Sequence, residues 1–238
     1  MGKYVISLIT VVLFITGGQS AGFAENKACE EHDALCRSFS ELADNGQFYR
    51  IIAQVSPDRT YSSAARQIIG KAYLMMAGNE TNTKEQEEIY CRKAVAFGAP
   101  SAYMGLYFLN AGQDVETAIL FLKRYVSTGA RDFLPYVILG EYELGQGQAA
   151  SAKDYLLAAR KIAQGRPANL DWLLFQANYL LGDYAVASAM LDSAILHGQP
   201  LAELKDLMAD PRFLGFVTRP EFRKYEPMIK GTSAMAAH

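Results

Sequence analysis

Three stretches of the chain carry residue types that do chemistry. Gly145-Gln146-Gly147-Gln148-Ala149-Ala150 spells G-x-G-x-x-A, the spacing of a loop that cradles a dinucleotide pyrophosphate at a helix N-terminus. His32 stands among Glu30, Glu31 and Asp33, donors that could hold a metal ion weakly. The run EQEEIY, Glu85 to Tyr90, brings carboxylates together, and paired carboxylates can divide general-acid and general-base work.

Each has a plainer reading. The acidic turn around His32 is solvated surface, and EQEEIY is one charged helix face. His197 falls in the last turn of a helix, where a partial positive charge suits the dipole; His238 is the remaining histidine. No H-E-x-x-H, paired C-x-x-C, P-loop or G-x-S-x-G occurs. A dinucleotide loop must follow a strand and open a helix, so the elements around Gly145 decide its meaning. The residues predict no catalytic group, no cofactor and no metal.

The first residues have the layout of a secretory signal peptide. Lys3 supplies positive charge, Tyr4 to Thr16 form an apolar run, and the small-residue segment GGQSAGFA follows. Such a run is too short for a membrane anchor. Residues 1–24 are therefore expected to be removed, with cleavage after Ala24 or, alternatively, Ala21. Roughly 214 residues then remain, enough for one domain with a core. Half of the residues are apolar and the net charge is only -2. That balance offers no basic excess for nucleic acid and no like-charge tail. No membrane insertion is expected once the leader is gone.

Three cysteines are present, an odd number for an exported protein. On one unbroken helix Cys29 and Cys36 would lie ~10.5 Å apart, beyond the ~7 Å that a disulfide spans. Pairing requires a helix to begin between them, and Asp33 is a suitable N-cap, so a Cys29–Cys36 disulfide is expected.

The positioning elements emerge from internal repetition. Gly70, Gly105 and Gly140 recur every 35 residues, each after an apolar residue: Ile69, Met104 and Leu139. Gly112, Gly147 and Gly182 form a second series with the same period of 35. Between them, apolar residues recur at three- and four-residue spacing, the signature of amphipathic helices. Every unit is helix, turn, helix. Gly145-Gln-Gly147 thus ends a helix and lies in a turn, where it cannot serve a cofactor. Cys91 occupies the slot filled by Leu122, Leu156 and Leu191 in other units, an interior one.

Those residues resemble the tetratricopeptide repeat. Leu139-Gly140, Gly147, Ala152, Leu156 and Ala159 carry the pattern, and so do Gly182, Tyr184, Ala187, Leu191 and Ala194. The first unit, with Ile69-Gly70-x-x-Tyr73 and YCRKAVAFGAPSA, is closer to the related Sel-one-like repeat. The tail LMADPRFLGFVTRPEF is similar to endings found after many such arrays. The fourth unit departs from the pattern, with Phe175 at the small-residue position. The resemblance implies an all-α α-solenoid of stacked helix-turn-helix hairpins. Its parts would be an N-terminal helical cap over 25–60, four repeats over 61–198, and a C-terminal helical cap with a flexible tail over 199–238. No hairpin buries its apolar face alone, so each depends on its neighbours.

The resemblance also implies a groove whose inner wall comes from the first helices. Carried onto this chain, its positions include Gln67, Lys71, Leu106, Asn110, Val137, Glu141, Trp172, Gln176 and Tyr179. Leu74, Ala102, Leu109 and Leu144 fall in the same series. The family's cationic carboxylate clamp is absent. Such a groove suits an extended or helical peptide held by side-chain burial, with Trp172 as anchor. The expected protein is a periplasmic interaction scaffold that assists assembly or regulation of a cell-envelope machine, with a protein or peptide partner there. The alternative is a secreted repeat protein acting on host or neighbouring cells.

Overall fold

The computed structural model describes residues 29–30, 33–163 and 168–229. The expected leader over 1–24, His32 and the final residues 230–238 lie outside them. The chain divides into two compact units, with the boundary between Arg131 and Asp132. No strand occurs among the described residues. No helix there is long and apolar enough to cross a membrane.

The first unit holds α1 (Ala34–Asp44), α2 (Phe48–Ala53), α3 (Ser63–Ala77), α4 (Lys84–Ala96), α5 (Ala102–Asn110) and α6 (Val115–Ser127). Short polar side chains set the helix starts, because each satisfies a backbone N–H that the first turn leaves free. Asp33 accepts from the Cys36 N–H at 2.8 Å, Ser62 from Ala65 at 3.1 Å and Asp114 from Thr117 at 3.0 Å. Thr83 and Gln86 form a reciprocal capping box at the start of α4. The helices pack as consecutive pairs, α3 with α4 and α5 with α6, and α1 and α2 both rest on α3.

Cys29 and Cys36 are joined by a disulfide with their Cα atoms 5.6 Å apart. The condition set by their spacing is met, since α1 begins between them under the Asp33 cap. Cys91 is a free thiol, buried in α4. Burial pushes it up to about 12, and the carboxylates of Glu87 and Glu88 add to the effect.

The second unit holds α7 (Phe133–Gly145), α8 (Ala149–Ile162), α9 (Ala168–Leu180), α10 (Tyr184–Leu196) and α11 (Leu201–Met208). Three 3-10 turns follow, at Pro211–Phe213, Phe216–Thr218 and Pro220–Tyr225. Again α7 pairs with α8 and α9 with α10, while α9 rests on both α8 and α7. Ala152, Leu156 and Ala159 are fully buried, and Ala187, Leu191 and Ala194 match them one hairpin later. An ionic link crosses three helices. The buried carboxylate of Asp171 accepts from the Ser193 hydroxyl at 2.5 Å and lies 3.6 Å from the Arg160 guanidinium.

Gly70, Gly105 and Gly140 sit where helices touch. A Cβ on Gly140 would lie 2.6 Å from Cγ and Cδ2 of Leu156 in the paired helix. One on Gly70 would crowd Ala99 Cβ and the Phe97 carbonyl at 3.2 Å. Gly105 differs from the pattern, because its contact is Cys91 Sγ, at 2.8 Å, on the preceding hairpin. The G-x-G-x-x-A stretch is a helix stop. Gly147 has φ +74°, and the N–H groups of Gly147 and Gln148 return to the carbonyls of Leu144 and Glu143, closing α7 as a left-handed C-terminal residue does.

These two roles separate in mutants. Gly140→Ala should lower stability by ~1–3 kcal/mol through overpacking against Leu156. Gly147→Ala should cost ~1–2 kcal/mol through its left-handed backbone. Gly145→Ala has open space around it and should stay within ~0.5 kcal/mol. Thermal or urea melts of the three variants test the ranking. Equal losses at Gly140 and Gly145 would show that the helix contact is misplaced.

Candidate binding surface

On α9, Trp172, Phe175 and Tyr179 are spaced three and four apart and share one face of the helix. The resemblance drawn from the sequence implies a groove wall on part of this face. Instead, the aromatic residues of the chain's own tail cover it. Phe175 has ring centroids 6.2, 5.8 and 6.2 Å from Phe213, Phe216 and Phe222. Tyr179 stacks on Phe213 at 4.9 Å, and Trp172 leans on Phe175 at 5.3 Å. Each such pair contributes ~0.5–1.5 kcal/mol beyond its buried area. Phe175, too large for a close helix contact, has found a different set of neighbours.

Polar groups pin the tail in register. Asp210 caps the first 3-10 turn and pairs with Arg212, whose guanidinium also donates to the Leu144 carbonyl at 2.6 Å. Leu144 lies in the last turn of α7, where a cation answers the helix dipole. The Arg219 guanidinium lies 3.9 Å from the centroid of the Tyr184 ring. Tyr225 donates to Asp192 at 2.6 Å, and Lys224 pairs with the same carboxylate.

Seven expected groove residues are therefore corrected. Trp172 is only 8% exposed and Tyr179 4%, and Leu74, Ala102, Leu106, Val137 and Leu144 are likewise buried; their side chains are interior and line no open groove. Trp172 and Tyr179 pack with the tail, whereas Val137 lies in the core between α7, α8 and α9. The polar members keep access to solvent. Gln67 and Lys71 stand one turn apart on α3, half-buried and exposed. Asn110 on α5 is half-buried, with its amide turned back to the Leu106 carbonyl at 2.7 Å. In the second unit Glu141 on α7 is exposed and Gln176 on α9 half-buried. Partial burial of the Glu141 carboxyl holds it above the usual carboxylate range.

Repetition gave no notice of a cleft of about 330 Å³ in the first unit. It is lined by Glu30, Asp33, Arg59, Thr60, Tyr61 and Ser62, among others. Asp33 links its two sides, accepting from the Ser62 hydroxyl and the Cys36 N–H, and both bonds lower its pKa. The signal in the sequence is a pair of N-cap residues, Asp33 and Ser62.

Serine, histidine and aspartate also meet in the second unit, but their wiring is not that of a nucleophile. The Ser193 hydroxyl donates to Asp171 at 2.5 Å and lies 3.4 Å from Nδ1 of His197, which is closer, at 2.7 Å, to the Ser193 carbonyl. His197 is the C-cap residue of α10, the role its position predicts. Among the described residues, no group of three His, Cys, Asp or Glu side chains could hold a metal ion.

A buried Trp172 has a measurable signature. Its fluorescence should be blue-shifted and resist iodide in the native protein. Trp172→Ala should cost ~3–5 kcal/mol of folding stability, as core truncations do. Red-shifted, easily quenched emission would return Trp172 to an open face.

No family model matches this chain, and no curated protein matches it. Among solved structures, the chain is similar to "Crystal structure of Sel1 repeat protein from Oxalobacter formigenes" at 20% identity. The match covers 83% of this chain and 99% of that one, with a TM-score of 0.35. A likeness so distant bears on neither function nor partner. What the described residues themselves show is an all-α arrangement of consecutive helix pairs with small residues at their contacts.

Proposed function

We propose that this chain is a protein-interaction scaffold that engages its partner through the first-helix face of the N-terminal unit. One observation carries the reading. The aromatic face of α9 in the second unit is filled by the tail, whereas Gln67 and Lys71 keep access to solvent on α3. Lys71 offers a cation and Gln67 an amide, which suit the carbonyls and carboxylates of a peptide backbone and C-terminus. The leader-like segment over 1–24 supports a periplasmic site of action. A stack of hairpins there would assist assembly or regulation of a cell-envelope machine.

Site-specific photocrosslinking in living cells tests both parts. A photoreactive residue at Gln67 or Lys71 should give a discrete protein adduct, released with the periplasmic contents by osmotic shock. The same residue at Leu120 or Leu157, exposed on second helices, should give none. Adducts confined to Leu120 or Leu157 would move the partner to the opposite helices. Retention of the protein in spheroplasts would overturn the compartment.

A further inference from the structure

We infer that the Cys29–Cys36 disulfide is a redox latch: a dithiol reductant opens it and thereby undocks α1 from the first repeat hairpin. Few fully buried side chains hold α1. Of its eleven residues only Cys36 and Phe39 are buried, and an isolated helix of that length is marginal in water. One of its two fully buried residues is thus half of the disulfide, while Leu35, Leu42 and Ala43 pack against the same core only partly buried. The other sulfur belongs to Cys29, which packs against the same core while keeping partial access to solvent.

The link reaches beyond α1. Asp33, inside the ring that the disulfide closes, caps α1 through the Cys36 N–H and accepts from the Ser62 hydroxyl. Ser62 in turn caps α3 through Ala65. Helices of two successive hairpins therefore begin at one carboxylate, and the disulfide holds that carboxylate in place. Glu30 and Asp33, both in the ring, line the cleft together with Arg59 and Ser62. Opening the ring frees Glu30 to leave the cleft.

The exchange balances with a dithiol as co-reactant. Its thiolate attacks Cys29 Sγ, the accessible sulfur, and the S–S bond breaks with the electron pair leaving on Cys36. Cys36 sits in the first turn of α1, where helix N–H groups favour a thiolate, while burial and the Asp33 charge oppose it. The second thiol of the reductant then attacks its own sulfur in the mixed disulfide and releases Cys29. Two electrons pass from the dithiol to the protein, and both cysteines take up protons from water. Cys91 cannot rescue the bond, being 3% exposed with its sulfur packed at Gly105.

Hydrogen exchange on the purified chain, oxidised and then treated with dithiothreitol, reads the latch directly. Reduction should speed exchange in α1 and in residues 62–66 at least tenfold, leave α9 and α10 unchanged, and reverse on reoxidation. Cys29→Ser should exchange like the reduced protein without any reductant. Unchanged exchange in α1 after complete reduction would overturn the latch. So would an equal rise in every helix of the first unit, which would make the bond a general staple. Failure of dithiothreitol to reduce the native protein would overturn it as well.

Discussion

A helix hairpin with one apolar face must find something to cover it, and the last hairpin of a series has no following repeat to do so. In the second unit that constraint is met by Phe213, Phe216, Phe222 and Tyr225, all 2% exposed or less. They gather around Phe175 and Tyr179 of α9 and Ala187 and Leu191 of α10. The rest of the unit follows from this closure. Phe175 tolerates its bulk because it meets the tail, Trp172 becomes core, and Arg212 ties the tail to the end of α7. The first unit meets the same constraint differently. Its leading edge is covered by α1 and α2, fastened by a disulfide and a shared N-cap.

Much of this was legible in the residues themselves. The period of the glycines reflects a steric demand between a helix and its neighbour, and Gly70 and Gly140 meet their own paired helices at the distances that demand implies. The slots of Ala152, Leu156 and Ala159 recur because the same demand is imposed from the other side. Caps such as Thr83 with Gln86, and the stop at Gly147, depend on a few adjacent residues and are equally visible. Even the condition for the disulfide was a local one.

The surface was less legible, for a physical reason. Carrying a groove position from one repeat to the next assumes that each hairpin has another hairpin beside it. Trp172 and Tyr179 break that assumption, because their covering residues come from a tail whose place no periodicity specifies. Leu106 breaks it differently: α5 is a short helix whose interior side includes the position expected to face a ligand. Residues with polar ends, Gln67, Lys71 and Glu141, kept their exposure since burial would strip them of water without a partner. Helix-scale patterning thus locates the wall, and the chemistry of each side chain decides which positions stay open.

The central claim is that the tail is part of the second unit's core. Native-state hydrogen exchange across a denaturant series tests this most directly. The account predicts that the amides of Phe213 and Phe222, bonded to the carbonyls of Asp210 and Arg219, open with the same free energy as those of α9 and α10. A tail that exchanges quickly and alone, while α9 and α10 stay protected, would contradict it and restore the α9 face as a site open to ligands.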